Sequence, residues 1–357
     1  NDGAGDASIL DDIYVAVMGA GKGSSANGSG SAVYVINLED EGEIVDLSSL
    51  RDKTETKGRG LIQIEDDPFG NVYNSMLASP VVITPDTTIG IPWSGALVYI
   101  NDYEGKITKI NLTNMETKDL SGKDYNLFHH TTLFKTGSTR ANGQYMYFSM
   151  DATIGKRSRD IWFFAGTGDF GNITAPGHTN KLLGIKDPDY PLYFELPAPG
   201  RPGTSLTDCE ETTDHKGTGA EECCADLEDC RGWYINLAGS AKVTGEPTVY
   251  KGNVYFPVYK PDFTGGSCNL GAAYICSADD ECGYNNSEAL GESTSDSGFA
   301  DDECLFVGRG ILSEIVVFAD KLFANIAGPE ATEDTLIIRK AAPGEVTTYR
   351  SSWRENY

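Results

Sequence analysis

The sequence predicts an all-β fold, a modified β-propeller of about seven blades with two disulfide-rich loop insertions. Three observations point there. The 357 residues include 41 Gly, 18 Tyr and 14 Phe, a composition suited to short strands joined by tight turns. Short apolar runs bounded by turn residues recur along the chain, and no segment competes as a long helix. Several of those runs also repeat one phrase.

Candidate strands cover Ile13–Met18, Ala32–Asn37, Ser79–Thr84, Ala96–Asn101, Ile107–Leu112, Gln144–Met150 and Arg159–Ala165. They continue over Trp233–Leu237, Pro247–Tyr250, Asn253–Tyr259, Leu312–Ala319, Lys321–Ile326 and Thr335–Lys340. The repeated phrase is a small or polar entry, an apolar strand, a turn, then an aromatic-containing strand. Ala78-Ser79-Pro80-Val81-Val82-Ile83 leads to Ala96-Leu97-Val98-Tyr99-Ile100 as Gly245-Glu246-Pro247-Thr248-Val249-Tyr250 leads to Gly252-Asn253-Val254-Tyr255-Phe256. A looser copy joins Ser313-Glu314-Ile315-Val316-Val317-Phe318 to Lys321-Leu322-Phe323-Ala324. Near-continuous apolar strands suit sheets buried on both faces, as radial blades are. A β-sandwich array is the competing architecture, since it also uses short strands and frequent turns.

The chain reads as a single domain over residues 1–357, interrupted by polar, cysteine-rich loop insertions at 200–231 and 263–304. The first holds Cys209, Cys223, Cys224 and Cys230, and the second Cys268, Cys276, Cys282 and Cys304. The count is even and no C-x-x-C unit is present, so the eight read as disulfides in an oxidising compartment, paired most simply within each group. Export to the cell exterior follows. No apolar run reaches the ~18 residues of a membrane-spanning helix, and the polar start at Asn1 has no signal-peptide pattern, so a soluble mature or truncated product is expected.

A net charge of −25 spread along the chain repels a phosphate backbone and argues against nucleic acid as a partner. Clustered oxygen ligands suit a hard divalent cation, and Asp279, Glu281, Asn285 and Glu288 lie close enough in sequence to surround calcium. Asp66, Asp67 and Asn71 form a smaller group. Neither follows the twelve-residue calcium-loop pattern, and a solvated acidic loop is the competing reading of each. His129, His130, His178 and His215 are dispersed, and His129 and His130 are expected on opposite sides of a strand. Gly19-Ala20-Gly21-Lys22-Gly23-Ser24 is not followed by a helix start, so it reads as a hairpin loop and not a phosphate cradle. No G-x-S-x-G elbow stands in a strand-turn-helix context. With no catalytic constellation, the chain is expected not to be an enzyme.

Longer phrases carry a resemblance. Ala96-Leu97-Val98-Tyr99-Ile100-Asn101-Asp102-Tyr103-Glu104-Gly105-Lys106-Ile107-Thr108-Lys109-Ile110-Asn111-Leu112, then Phe163-Phe164-Ala165-Gly166-Thr167-Gly168, then Arg231-Gly232-Trp233-Tyr234-Ile235-Asn236-Leu237, and finally Ser352-Trp353-Arg354-Glu355 resemble, in order, phrases of the C-terminal domain of PilY-family type IV pilus proteins. That resemblance implies a modified propeller at the pilus tip or outer cell surface. The implied work is pilus assembly, control of retraction and surface adhesion, with pilin or minor pilin subunits and a host or surface receptor as partners. The resemblance also brings a calcium loop, yet in the corresponding turn from Thr84 to Gly95 only Asp86 remains as a carboxylate. Two alternatives differ in class. A periplasmic quinone- and calcium-dependent dehydrogenase propeller would use adjacent cysteines such as Cys223-Cys224, and a carbohydrate-binding propeller would expose Trp93, Trp162 and Trp233 in one pocket.

Overall fold

The computed structural model describes residues 14–23, 30–39, 41–45, 60–64, 75–84, 95–114, 117–118, 124–125, 127–139, 141–193, 231–263, 270–290, 304–328 and 335–342. Five antiparallel sheets follow one another in chain order among these residues. Sheet one comprises β1 (Val15–Gly19), β2 (Ala32–Asn37) and β3 (Leu61–Gln63). Sheet two comprises β4 (Val81–Ile83), β5 (Gly95–Asn101), β6 (Lys106–Thr113) and β9 (His130–Lys135), with a separate ribbon of β7 (Thr117–Lys118) and β8 (Asp124–Tyr125). Sheet three runs β10 (Asp151–Ile154), β11 (Ile161–Gly166), β12 (Asn180–Asp187), β13 (Gly232–Leu237).

Sheet four sets β14 (Lys242–Val243) and β15 (Thr248–Tyr250) along one edge of β16 (Asn253–Lys260), followed by β17 (Ala272–Asp279) and β18 (Leu305–Arg309). Sheet five sets β19 (Ile311–Leu312) and β20 (Val316–Phe318) against β21 (Lys321–Ala327), with β22 (Leu336–Lys340) beyond it. The all-β expectation holds, and each repeated phrase becomes two consecutive, paired strands of one sheet: β4–β5, β15–β16 and β20–β21.

Period-two alternation explains how the sheets stack. In β11, Trp162 and Phe164 join the core shared with sheet four, while Ile161, Phe163 and Ala165 join the core shared with sheet two. In β5, Leu97 and Tyr99 face sheet three, whereas Val98 and Ile100 face sheet one. In β16, Val254, Phe256 and Val258 face sheet three, and Tyr255 faces sheet five. Central strands of the three middle sheets are therefore buried at consecutive positions, whereas β21 of an end sheet alternates: it reads exposed, buried, half-buried, buried, exposed, buried, exposed. Among the described residues, no core cluster joins sheet five to sheet one.

Close packing is tightest where small residues meet large ones. Gly184 pairs with Trp233 across β12 and β13, and a Cβ at Gly184 would lie 2.3 Å from Trp233 Cε2. Trp162 and Trp233 are fully buried in the core between sheets three and four, which removes both from any exposed sugar-binding pocket; Trp93 lies outside the described residues.

Two expectations change. Residues 263–304 are not wholly a loop insertion, because Ala272–Asp279 forms a central strand of sheet four. Its small residues, Ala272, Ala273, Ser277 and Ala278, mute the β signal, but both faces are covered by neighbouring sheets. Gln144–Met150 is not a strand. Tyr145 and Tyr147 pack on Tyr103, and the chain enters a sheet only at Asp151. The insertion expected at 200–231 lies outside the described residues, apart from Arg231.

Cys276 and Cys304 form a disulfide across a separation of 28 residues, and Cys282 is disulfide-bonded as well. Cys209, Cys223, Cys224, Cys230 and Cys268 lie outside the described residues. The double substitution Cys276→Ala, Cys304→Ala is expected to lower the unfolding free energy by about 3 to 4 kcal/mol, from loop-closure entropy in the unfolded chain. Urea unfolding of the variant checks this, and a loss under about 1 kcal/mol would refute it.

Candidate functional site

Polar residues just before β4, β10, β15 and β20 come together, three of them from the repeated phrase. Ser79 precedes β4, Ser149 precedes β10, Glu246 precedes β15 and Glu314 precedes β20. The Ser79 amide donates to Ser149 Oγ at 2.9 Å, Ser149 is hydrogen-bonded to Glu246, and Glu246 lies in the field of Glu314 and Asp151. Asp151 is itself fixed, because its carboxylate accepts from the Val249 amide at 2.7 Å and the Ala152 amide at 2.8 Å. A polar line thus runs along the entries to β4, β10, β15 and β20, one from each of sheets two to five.

Burial, then Glu314, then Asp151 push the Glu246 carboxyl up to about 7. Burial also raises Asp151, against the pull of its two amide donors. A carboxyl poised near neutrality beside other carboxylates can donate or accept a hydrogen bond, and it favours cationic over anionic groups.

A second acidic group follows β17. Asp279, Asp280 and Glu281 turn the chain against the β10–β11 hairpin, where Arg157 and Ser158 meet them. The Glu281 carboxylate accepts from the amides of Arg157 and Ser158, both at 2.8 Å, and from Arg157 Nε at 3.2 Å. Arg157 Nη2 pairs with Asp279 Oδ1 at 2.6 Å, and Asp279 Oδ1 also accepts the Glu281 and Cys282 amides. Burial alone would raise the Glu281 pKa, but the amides of Arg157 and Ser158 outweigh it and hold the group below the ordinary carboxylate value. For Asp280 the field of Arg157 and the Glu281 amide do not offset its burial, so desolvation, Asp279 and Glu281 push it up to about 7.

The predicted oxygen ligands do not share one cage. Asp279 and Glu281 are turned towards Arg157, the Asn285 side chain accepts the Ser287 amide at 2.9 Å, and Glu288 is exposed in a short 3-10 turn over Ser287–Leu290. Among the described residues no group of three or more His, Cys, Asp or Glu is arranged to hold a metal ion. Asp66, Asp67, Asn71 and Asp86 lie outside the described residues. His129 and His130 do not diverge as expected: their rings are 6.2 Å apart at 28°, at the entry to β9 just after Phe128 with its φ of +67°. His129 Nδ1 lies 2.7 Å from the Tyr193 hydroxyl.

Sequence reasoning missed two further features. Tyr103 stacks on Tyr145 at 4.2 Å and meets Tyr147 edge-on at 4.8 Å, while Phe148 and Phe170 extend this aromatic group to the surface. The dense aromatic spacing of Tyr145, Tyr147 and Phe148 was its only signal. Behind it Lys242, fully buried, donates to the carbonyls of Ala175 at 2.8 Å, Ile173 at 3.0 Å and Ser240 at 3.3 Å. Burial draws the Lys242 pKa down to about 8, with Asp169 opposing.

Asp280→Asn is expected to raise the unfolding temperature at pH 8 and to change it little at pH 4.5. A carboxyl whose folded pKa is raised contributes stability below its unfolded value near 3.8 that is lost as pH rises through about 7. Thermal unfolding of both proteins at the two pH values checks this, and an equal shift at both would contradict the raised pKa.

No family model matches the sequence, and no curated protein matches it. Two solved structures show different degrees of similarity. An exo-1,5-α-L-arabinanase from a bovine ruminal metagenomic library is similar at a TM-score of only 0.30, with 10% identity over 93% of this chain and 90% of that one. The C-terminal domain of Pseudomonas aeruginosa PilY1 is similar at a TM-score of 0.51, with 13% identity over 93% of this chain and 70% of that one. The chain therefore has an all-β, PilY1 C-terminal-like fold.

Proposed function

We propose that this chain is a non-enzymatic, extracellular component of a type IV pilus system, a propeller-type scaffold of about seven blades that works through protein contacts. The observation that carries the reading is the likeness to the PilY1 C-terminal domain over 93% of the chain. The ordered phrases on β5–β6, β11 and β13 support it independently, because they fall on strands that build the inter-sheet cores. In this reading pilin or minor pilin subunits are the partners, pilus assembly and retraction control are the activity, and adhesion to a surface receptor accompanies them. In this reading calcium acts as a regulator of those contacts.

The acidic groups at the starts of β10, β15 and β20 favour a basic surface on the partner, since Glu246, Glu314 and Asp151 together attract cations. Biolayer interferometry of the purified chain against purified pilin and minor pilins from the same organism tests the proposal, with and without calcium. Saturable binding to one of them supports it. Absence of binding to all of them, or a bound quinone with reduction of an artificial electron acceptor, would overturn it.

A further inference from the structure

Two adjacent histidines stand where sheet two meets its neighbours. His130 begins β9 and pairs with Ile110 of β6, a residue of the core that sheets one and two share. Residues opposite each other in an antiparallel pair send their side chains to the same face, so the His130 ring enters that joint. There it is hydrogen-bonded to the main chain of Ile64, just beyond β3. His129 reaches a different joint: its Nδ1 lies 2.7 Å from the hydroxyl of Tyr193, which belongs to the core shared with sheet three. With their rings 6.2 Å apart, the two histidines tie both joints together at one point.

The charges around the pair make a proton costly. Lys106 and Lys109 are both on β6 and both buried. Lys106 lies 3.8 Å from Asp102 and 3.7 Å from Glu104, while Lys109 is 2.6 Å from Asp187 and 5.6 Å from the centre of the Tyr193 ring. Asp189 adds a further negative charge near Tyr99. Burial outweighs the bond to Ile64, Lys106 reinforces it, and together they hold His130 below its ordinary value. Protons on both rings would also repel each other across 6.2 Å.

We propose that the His129–His130 pair is an acid-sensitive joint, which holds sheet one against sheet two at neutral pH and loosens that contact when the imidazoles take up protons. Histidine is suited to this because its charge changes just below neutrality. The folded-state value of His130 lies below the unfolded one. Its contribution is therefore present above the ordinary 6.5 and is lost as pH falls through the folded value. A protonated ring turns out towards water, the bond to Ile64 breaks, and the three strands of sheet one open as a unit while the other sheets stay packed.

Hydrogen exchange read by NMR at about pH 7.5 and about pH 5 tests this. The amides of Val35 and Ile64, bonded to the carbonyls of Gly60 and Ser31, report on sheet one. Local amides are read because Asp280 and Glu246 titrate over the same range with the opposite sign, so global unfolding would mix the effects. After correction for the intrinsic rate, protection of both amides is expected to fall at least about threefold in acid. His130→Gln should abolish that loss and His129→Gln should reduce it by about half or more. Unchanged thermal unfolding at about pH 7.5 verifies that the variants fold, and His130→Asn replaces His130→Gln if that one does not. Equal protection at the two pH values in the wild-type chain would overturn the proposal. So would an undiminished loss in either the His129 or the His130 variant.

Discussion

Asp187→Ala is expected to lower the unfolding free energy by about 3 to 5 kcal/mol, the usual loss when one partner of a buried ion pair is removed. Asp187 is fully buried on β12, and its Oδ2 lies 2.6 Å from Lys109 Nζ on β6. The same oxygen accepts from the Tyr99 hydroxyl at 2.7 Å, and Oδ1 accepts from the Asp189 amide at 3.0 Å. Lys109 also donates to the Leu192 carbonyl at 2.9 Å and lies within 6 Å of the Tyr99 and Tyr193 rings. Without Asp187 the ammonium keeps one carbonyl and two ring faces, too little to match its lost hydration. Burial, then the charge of Asp187, raises the Tyr99 pKa, so its phenol remains a donor throughout the neutral range. The pair Lys109→Met, Asp187→Leu should cost less than Asp187→Ala alone, because it leaves no uncompensated charge. Urea unfolding of the three proteins decides the matter: a loss under about 1 kcal/mol for Asp187→Ala would show that the network adds little.

Glu281→Ala is expected to cost about 2 to 4 kcal/mol, since it strips the shared acceptor from two backbone amides and a guanidinium in one step. Arg157→Ala should cost less, because Arg157 is 43% exposed and the carboxylate keeps its two amides. The clamp joins sheet three to sheet four, so Glu281→Ala should also speed amide exchange in the turn between β10 and β11. Equal losses for the two variants would move the weight of the clamp from the amides to the ion pair.

The pH dependence of the clamp has the opposite sign to that of its neighbours. The folded pKa of Glu281 is depressed, so its contribution is present above the ordinary value of 4.5 and is lost as pH falls through the folded value. Those of Asp280 and Glu246 are raised to about 7, so their contributions fade between about pH 4 and pH 7. From about pH 4.5 to about pH 7 these three groups together make stability fall as pH rises, because the Glu281 gain is complete by then while those of Asp280 and Glu246 are being lost.

Much of the fold is legible locally. Ala32–Asn37 is a strand with the bounds its apolar run suggests, and the runs around Val98, Phe163, Val254 and Phe323 lie within one or two residues of observed strands. Such runs work because alternation with period two is a property of the backbone. The misses have the same root. Asn180–Asp187 mixes Asn, Lys and Gly with Leu and Ile, and Ala272–Asp279 is dominated by small residues, so neither shows a strong β pattern alone. Both become central strands because neighbouring sheets cover them. Gln144–Met150 has the pattern but finds no partner strand, and its rings pack on Tyr103 instead.

The candidate site was less legible. Asp279 and Glu281 stand out as an acidic pair, yet nothing local indicates that Arg157, 124 residues away from Glu281, turns them into a clamp. Glu246 and Glu314 appear in the repeated phrase without any sign that they meet. Composition, strand periodicity and the repeated entry phrase determined the all-β class and the order of the sheets, since these are local properties of the chain. Tertiary structure alone decided which carboxylates share a surface, which aromatic residues are core and which strand faces meet a neighbouring sheet. Those outcomes depend on how sheets stack, and stacking brings together residues separated by tens to hundreds of positions, beyond the reach of any local pattern.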